Sequence, residues 1–329
     1  METSRPPVPR HPPVREPEFR LIVDRVADVA DGVRALSLRD PAGDALPRWQ
    51  PGAHIDVLLA PGLERQYSLC GDPEDVNAWR IAVLREPESR GGSEYVHERL
   101  RAGAAVEVRG PRNHFPLLDA SSYLIIAGGI GITPILPMVR ELDARGADWH
   151  LVYGGRRRAS MAFTDEIGTY PPGHVTIWPE DECGLIDLAG TLGAPRDGVA
   201  IYCCGPEGLI AAVEEQCSRW PKGALHTERF RPRADLPSGP STSFEVVLEY
   251  SQITVTVGPD QSIAEAVELA GVDIPTSCRE GTCGTCETWV LEGIPDHRDS
   301  VLDEIDREAN DRMMVCCSRS KTPRLVLDL

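Results

Sequence analysis

The stretch Cys278-Arg-Glu-Gly-Thr-Cys283-Gly-Thr-Cys286 places three thiols within nine residues, and a fourth, Cys316, follows after 29 more. Gly281 and Gly284 sit between those thiols. Glycine lets a backbone wrap closely round a bound group and turn its amide hydrogens inward. The chain carries ten cysteines, and its first 17 residues, METSRPPVPRHPPVREP, lack the apolar core of a secretory signal. Disulfides are therefore not the expected use of these thiols.

Four residues, then two, then 29 between successive cysteines is the spacing of plant-type [2Fe–2S] ferredoxin loops. Cys278, Cys283, Cys286 and Cys316 would supply two thiolates to each iron, and the loop amides would tune the potential. A structural zinc site competes with this reading, but it normally uses two close cysteine pairs, and only Cys283/Cys286 is close here. Chance clustering leaves unexplained the fourth cysteine beside the apolar run Met313 to Val315. Cys317 adjoins Cys316, and one of the two should face the cluster; the spacing favours Cys316. Of the six cysteines outside the set (Cys70, Cys183, Cys203, Cys204, Cys217 and Cys317), most are expected to be small buried hydrophobes.

At 329 residues the chain should hold two or three domains. Its 41% apolar and 26% charged residues describe a soluble globular protein, and no apolar run reaches the roughly 18 residues of a membrane span. A cytoplasmic location is expected. The net charge of -17 argues against nucleic acid as a partner. From Thr242 to Leu329 there are 17 acidic against 7 basic residues, a net of -10. That face could simply be solvated, or it could steer docking to a basic protein surface.

Three grammars divide the chain. Residues 1–17 read as a disordered, proline-rich lead-in. Over 18–117, six short β-rich runs (FRLIVDRVADVA, VRALSLRD, AHIDVLLA, RQYSLCG, WRIAVLRE, AAVEVRG) and one helix over Glu94 to Arg101 predict a closed antiparallel β-barrel. Over 118–230, strand, glycine turn and helix alternate, which predicts an α/β domain with a parallel sheet. Residues 231–241 read as a linker rich in Pro and Ser. Residues 242–329 form a small α+β module of β-grasp type carrying the thiol loop.

In the middle segment, Ala127-Gly-Gly-Ile-Gly131-Ile-Thr-Pro134 closes a strand and opens a helix. Gly129 and Gly131 there would admit a diphosphate to the free amides of the helix start. A second glycine turn, Tyr202-Cys-Cys204-Gly205-Pro206, would lie at the same carboxyl edge of the sheet, with Arg156, Arg157 and Arg158 after a third strand. Taken alone, the first turn could be a tight connection without a ligand, and the arginines a solvated corner. They could also reach a 2′-phosphate, which keeps NADPH open. In the barrel, Arg65-Gln-Tyr67-Ser68 joins a cation, an aromatic and a hydroxyl on one strand. Gly91-Gly92-Ser93 opens the helix, with Ser93 as its expected cap.

Together these pieces resemble the ferredoxin–NADP reductase superfamily, in its phthalate dioxygenase reductase branch with the vanillate demethylase reductases. The resemblance runs from about residue 18 to the C-terminus. RQYSL is similar to the family's flavin motif, GGIGITP and CCGP to its nicotinamide-nucleotide motifs, and the cysteine loop to its C-terminal ferredoxin. By position it implies that Arg65, Gly92 and Ser93 hold an FMN phosphate, that Tyr67 and Ser68 lie along the isoalloxazine, and that the Ile81 to Val83 strand gives backbone contacts. It places Thr133, Cys204 and Gly205, with Pro206 following, near the nicotinamide. Glu228 and Phe230 would close over the flavin. Ser68, Thr133, Cys204 and Glu228 are the implied catalytic set, and Arg156 an implied coenzyme contact.

The implied activity is transfer of electrons from NADH through FMN and the cluster to a separate oxygenase, usually of the Rieske non-haem iron type. A hydride brings two electrons at once and an iron pair takes one, so the flavin is the converter. Nicotinamide C4 should stand about 3–3.5 Å from flavin N5. A cytochrome P450 as acceptor is the alternative. A non-enzymatic iron–sulfur carrier and a flavin hydroxylase are rivals from other classes. The architecture is compatible with a monomer.

Overall fold

The computed structural model describes residues 16–233 and 242–329; the lead-in expected over 1–17, apart from its last two residues, and the linker from 234 to 241 lie outside them. Two compact units contain the described elements, one over Pro17–Arg233 and one from residue 242 to the C-terminus. The barrel and nucleotide segments thus share one unit.

All six β-rich runs of the first segment are strands: β1 (Glu18–Ala30), β2 (Val33–Arg39), β3 (His54–Ala60), β4 (Leu63–Ser68), β5 (Trp79–Leu84) and β6 (Ala105–Arg112). They form one antiparallel sheet in the order β4-β3-β6-β1-β2-β5. The sheet curls until its two edges are joined by a single bridge between Leu69 and Ile81. Its concave side is filled by Leu21, Val23, Leu36, Leu38, Ile55, Val57, Trp79, Ile81 and Val83. Burying each such side chain is worth about 1.5–3 kcal/mol. The helix begins two residues earlier than expected, at Gly92, and ends at Arg99.

The second sheet is parallel, with β7 (Ser122–Gly128), β8 (Trp149–Gly155), β9 (Val175–Pro179), β10 (Val199–Cys204) and β11 (Leu225–Glu228) in the order β11-β10-β7-β8-β9. The near-continuous apolar run of β7 suits a strand covered on both faces. A helix, Ile132–Ala144, follows β7 and ends before Gly146, whose positive φ of 64° stops it. One core runs through both halves of this unit. It draws Val33, Ala35, Cys70, Ala82 and Phe115 from the first half, and Ile125, Ile132, Leu151 and Tyr202 from the second.

The C-terminal unit has a five-stranded mixed sheet, β13-β12-β18-β14-β16, built from β12 (Phe244–Leu248), β13 (Ile253–Val257), β14 (Glu287–Glu292), β16 (Arg312–Met314) and β18 (Arg324–Leu327). A small pair, β15 (Pro295–Asp296) and β17 (Arg319–Ser320), stands apart. The helix Ile263–Leu269 starts with a complete capping box between Ser262 and Glu265 and packs Ile263, Ala264 and Val267 into the core.

Candidate functional site

Strand β4 runs antiparallel to β3, so Arg65 and Tyr67 alternate in facing with Gln66 and Ser68. The Arg65 guanidinium is fixed by the carbonyls of Glu64 and Arg90, both at 2.7 Å, and lies against the helix start. A Cβ on Gly92 would meet Arg65 Cγ at 2.6 Å, so glycine there makes room for the cation. The first-turn amides of an α-helix have no partner within the helix, and here they stand beside Arg65. Ser93 is not the cap: Gly91 holds that position in the left-handed region at φ 89°, with no side-chain cap bond. The Ser93 hydroxyl instead accepts the Glu86 N–H at 3.1 Å and bonds Ser89. Burial pushes the Tyr67 phenol up. Ile81 and Val83 point their side chains into the core, and the Val83 carbonyl meets the His97 ring at 2.9 Å. That carbonyl is thereby taken.

At the carboxyl edge of the parallel sheet the two glycine turns pack on each other. A Cβ on Gly131 would fall on the Cys204 carbonyl, and one on Gly128 would meet Pro206 and Leu209 at 2.7 Å. Gly205 likewise packs against the Gly128 backbone. These glycines serve close packing. Gly129 differs: its φ is +55° and nothing lies within 4 Å of a Cβ built there. It is the glycine that opens onto free space. Thr133 is buried and turns its hydroxyl to the Ile130 carbonyl at 3.0 Å. Gly154 and Gly155 leave room for Ile186 and Met161.

The two halves meet at Ser68 and Glu228. Glu228 ends β11 opposite Cys204, and its carboxyl faces Ser68 of the flavin-type strand. Its Oε2 is buried without a hydrogen-bond partner. Burial pushes the Glu228 carboxyl up to about 8, with the Ser68 hydroxyl opposing. Burial, and then Glu228, hold the Cys204 thiol well above its usual range. Phe230 lies two residues beyond, 42% exposed. Arg156 and Arg157 are exposed after β8, and Arg158 pairs with Glu182.

Sequence reading misses the groups that join the halves. Glu166 accepts from Arg80 of β5 at 3.1 Å and from Arg140 at 2.7 Å, and Arg80 also donates to the Cys70 carbonyl. No local pattern marks such a bridge, because its members are up to 86 residues apart.

In the C-terminal unit the four predicted thiols converge. Cys278 lies against both Cys283 and Cys316, and Cys316 against both Cys278 and Cys286. Among the described residues no group of three or more His, Cys, Asp or Glu surrounds a single ion position. Four thiols meeting at one loop supply the donor set that an iron pair requires. The Glu280 and Thr282 amides each reach Cys278 Sγ at 3.4 Å, the Gly281 amide bonds Cys316, and the Thr285 hydroxyl lies 3.2 Å from Cys283 Sγ. A thiolate set ringed by amide donors fits a [2Fe–2S] cluster. The Cys317 thiol occupies the place a Cβ on Gly281 would need, 2.5 Å away. Of the six other cysteines, Cys70, Cys203, Cys204 and Cys217 are buried as expected, whereas Cys183 is exposed and Cys317 half-buried.

Residues 246–321 match the 2Fe-2S iron-sulfur cluster binding domain, and residues 125–215 the oxidoreductase NAD-binding domain. The chain is 41% identical over 312 residues to phenoxybenzoate dioxygenase subunit beta of Ectopseudomonas oleovorans, covering 94% of this chain and 97% of that one. It is similar to the solved phthalate dioxygenase reductase, described as a modular structure for electron transfer from pyridine nucleotides to [2Fe–2S], at 36% identity and TM-score 0.68, covering 95% and 98%. It also matches an intact type IV self-sufficient cytochrome P450 monooxygenase at 42% identity and TM-score 0.89. There it covers 99% of this chain but only 43% of the longer one.

Proposed function

Since the chain belongs to the phthalate dioxygenase reductase family of flavin and iron–sulfur oxidoreductases, we propose that it oxidises NADH and delivers the electrons to a separate oxygenase component of the Rieske non-haem iron type. The observation that carries this reading is the shared core and the Arg80–Glu166 pair at 3.1 Å, which hold the flavin-type barrel and the nucleotide sheet as one unit. When bound, FMN supplies the conversion of a hydride into single electrons, and the [2Fe–2S] cluster carries them one at a time.

The chain's own residues orient these groups. Arg65 and the amides of the helix opening at Gly92 hold the FMN phosphate, and Tyr67 supports the ring. Gly129 admits the NADH diphosphate, and the packed turns at Gly131 and Gly205 fix where its nicotinamide end lies. The Glu228 carboxyl, protonated up to about pH 8, keeps a proton on Ser68's side of the site and places no net charge beside the nicotinamide. Phe230, exposed at the end of this segment, covers the ring when coenzyme leaves. Cys278, Cys283, Cys286 and Cys316 would hold the cluster, and the Glu280 and Thr282 amides would donate to its Cys278 thiolate.

No helix among the described residues is long and apolar enough to cross a membrane, and a cytoplasmic site of action for a monomer belongs to the proposal. The acidic C-terminal unit would meet a basic rim on the oxygenase, and an electron-delivery rate indifferent to ionic strength would count against that contact. A second reading, a cytochrome P450 as acceptor, is favoured by the match of this chain to 43% of the self-sufficient cytochrome P450 monooxygenase. Anaerobic NADH titration of the purified protein tests the core claim. Flavin bleaching followed by loss of the iron–sulfur absorption is expected; protein without releasable FMN would sink it.

A further inference from the structure

The coenzyme end of the nucleotide sheet carries an ion pair that none of the site residues above explains. Three arginines follow β8, and three acids, Glu180, Asp181 and Glu182, follow its neighbour β9. The ends of the two strands are in register, Gly155 opposite Pro179, so the basic and acidic triplets leave the sheet side by side. The Asp181 N–H donates to the Arg156 carbonyl at 3.2 Å and ties the segments together. Arg158 then grips Glu182 with both prongs, Nε to Oε1 at 3.1 Å and one terminal nitrogen to Oε2 at 2.9 Å. Arg156 and Arg157 have no ion pair among the described residues and are exposed.

In a nucleotide-binding sheet the residues just beyond the strand next to the glycine turn face the adenosine ribose, where an acid suits the 2′-hydroxyl and an arginine the 2′-phosphate. The two-pronged bond that Glu182 accepts is the one a phosphate monoester would otherwise take from Arg158. A carboxylate already in that fork both occupies the cation and repels an incoming dianion.

We propose that Glu182 is a specificity-determining residue that excludes NADPH by holding Arg158 away from the 2′-phosphate. The proposal rests on the reading of this edge as the coenzyme site. It accounts for a basic corner serving NADH: of the three arginines after β8, Arg158 is the one neutralised. Because the pair is half-exposed, with side chains 56% and 49% accessible, solvent screens it and the effect should be moderate.

The test is steady-state flavin reduction by NADH and by NADPH in the intact, cofactor-loaded protein, comparing the parent, Glu182→Gln and Glu182→Gln/Arg158→Gln. Glu182→Gln should raise the ratio of kcat/KM for NADPH to that for NADH about tenfold, as a single freed arginine–phosphate bond would. The double variant should return most of that rise. An unchanged ratio in Glu182→Gln overturns the proposal, as does a rise that survives loss of Arg158, since Glu182 would then act only as a distant negative charge. If neither coenzyme reduces the parent's flavin, the coenzyme site itself is misassigned. Normal reduction by NADH with an unmoved ratio leaves that site standing and removes only the role of Glu182.

Discussion

The thiol loop and the flavin–nucleotide junction reach a working site by opposite routes. Three of the four thiols of the loop lie within nine residues, and its amide donors, Glu280, Gly281 and Thr282, come from the same turn. The junction brings Ser68 to Glu228 across 160 positions of sequence and has no local motif that specifies the contact. A site made within one turn depends on a few backbone angles. A site made between distant strands depends on every packing contact that sets their relative position.

The largest expected effect separates the two routes. Cys283→Ser should abolish the iron–sulfur absorption and electron output while NADH still bleaches the flavin; visible spectra and iron content would show both. Retained cluster absorption would break the comparison at its first term. Next comes Gly131→Ala. A Cβ there collides with the Cys204 carbonyl, so a loss of about 2–4 kcal/mol in denaturant unfolding of this unit is expected. Gly129→Ala meets no atom, and should cost only about 1 kcal/mol for its left-handed backbone while weakening NADH binding.

Glu228→Gln sharpens the comparison through pH. The Glu228 carboxyl stands at about 8 in the folded protein against an ordinary 4.5. Between those values the unfolded chain releases its proton first, so this residue makes stability fall as pH rises through that window. Glu228→Gln should flatten that slope in thermal melts from pH 5 to 8. Glutamine keeps an acceptor for Ser68 and carries no charge, so flavin reduction below pH 8 should change little. The smallest effect on electron transfer belongs to Ser262→Ala, which removes a helix cap of the C-terminal unit and should cost about 1 kcal/mol of stability while leaving flavin reduction by NADH unchanged.

Strand-level structure is legible wherever alternation is strong: all six runs of the first segment and the β12–β13 hairpin stand where the pattern puts them. The short β11, LHTE, has too few residues to show a period and escapes sequence reading, although it carries Glu228. The helix start differs by two residues from the expected one, because Gly91 adopts a left-handed cap that no side chain announces. In the nucleotide motif the sequence offers no way to tell a ligand-facing glycine from a packing one. Only the packing distances separate Gly129, which opens to space, from Gly128 and Gly131, which let two turns touch.

By itself, then, the sequence determined the cofactor chemistry of the tail, because thiol spacing is a property of one short loop and metal ligation needs nothing further. It also determined the order of β-rich, alternating and ferredoxin-like segments, since side-chain periodicity is local. Only the tertiary structure decided that Glu228 lies against Ser68, that Glu166 bridges Arg80 and Arg140, and that Glu182 occupies Arg158. The first two follow from how two sheets pack round a shared core and the third from the register of β8 and β9, and the energy that selects them is spread over many apolar contacts rather than written at the residues that meet.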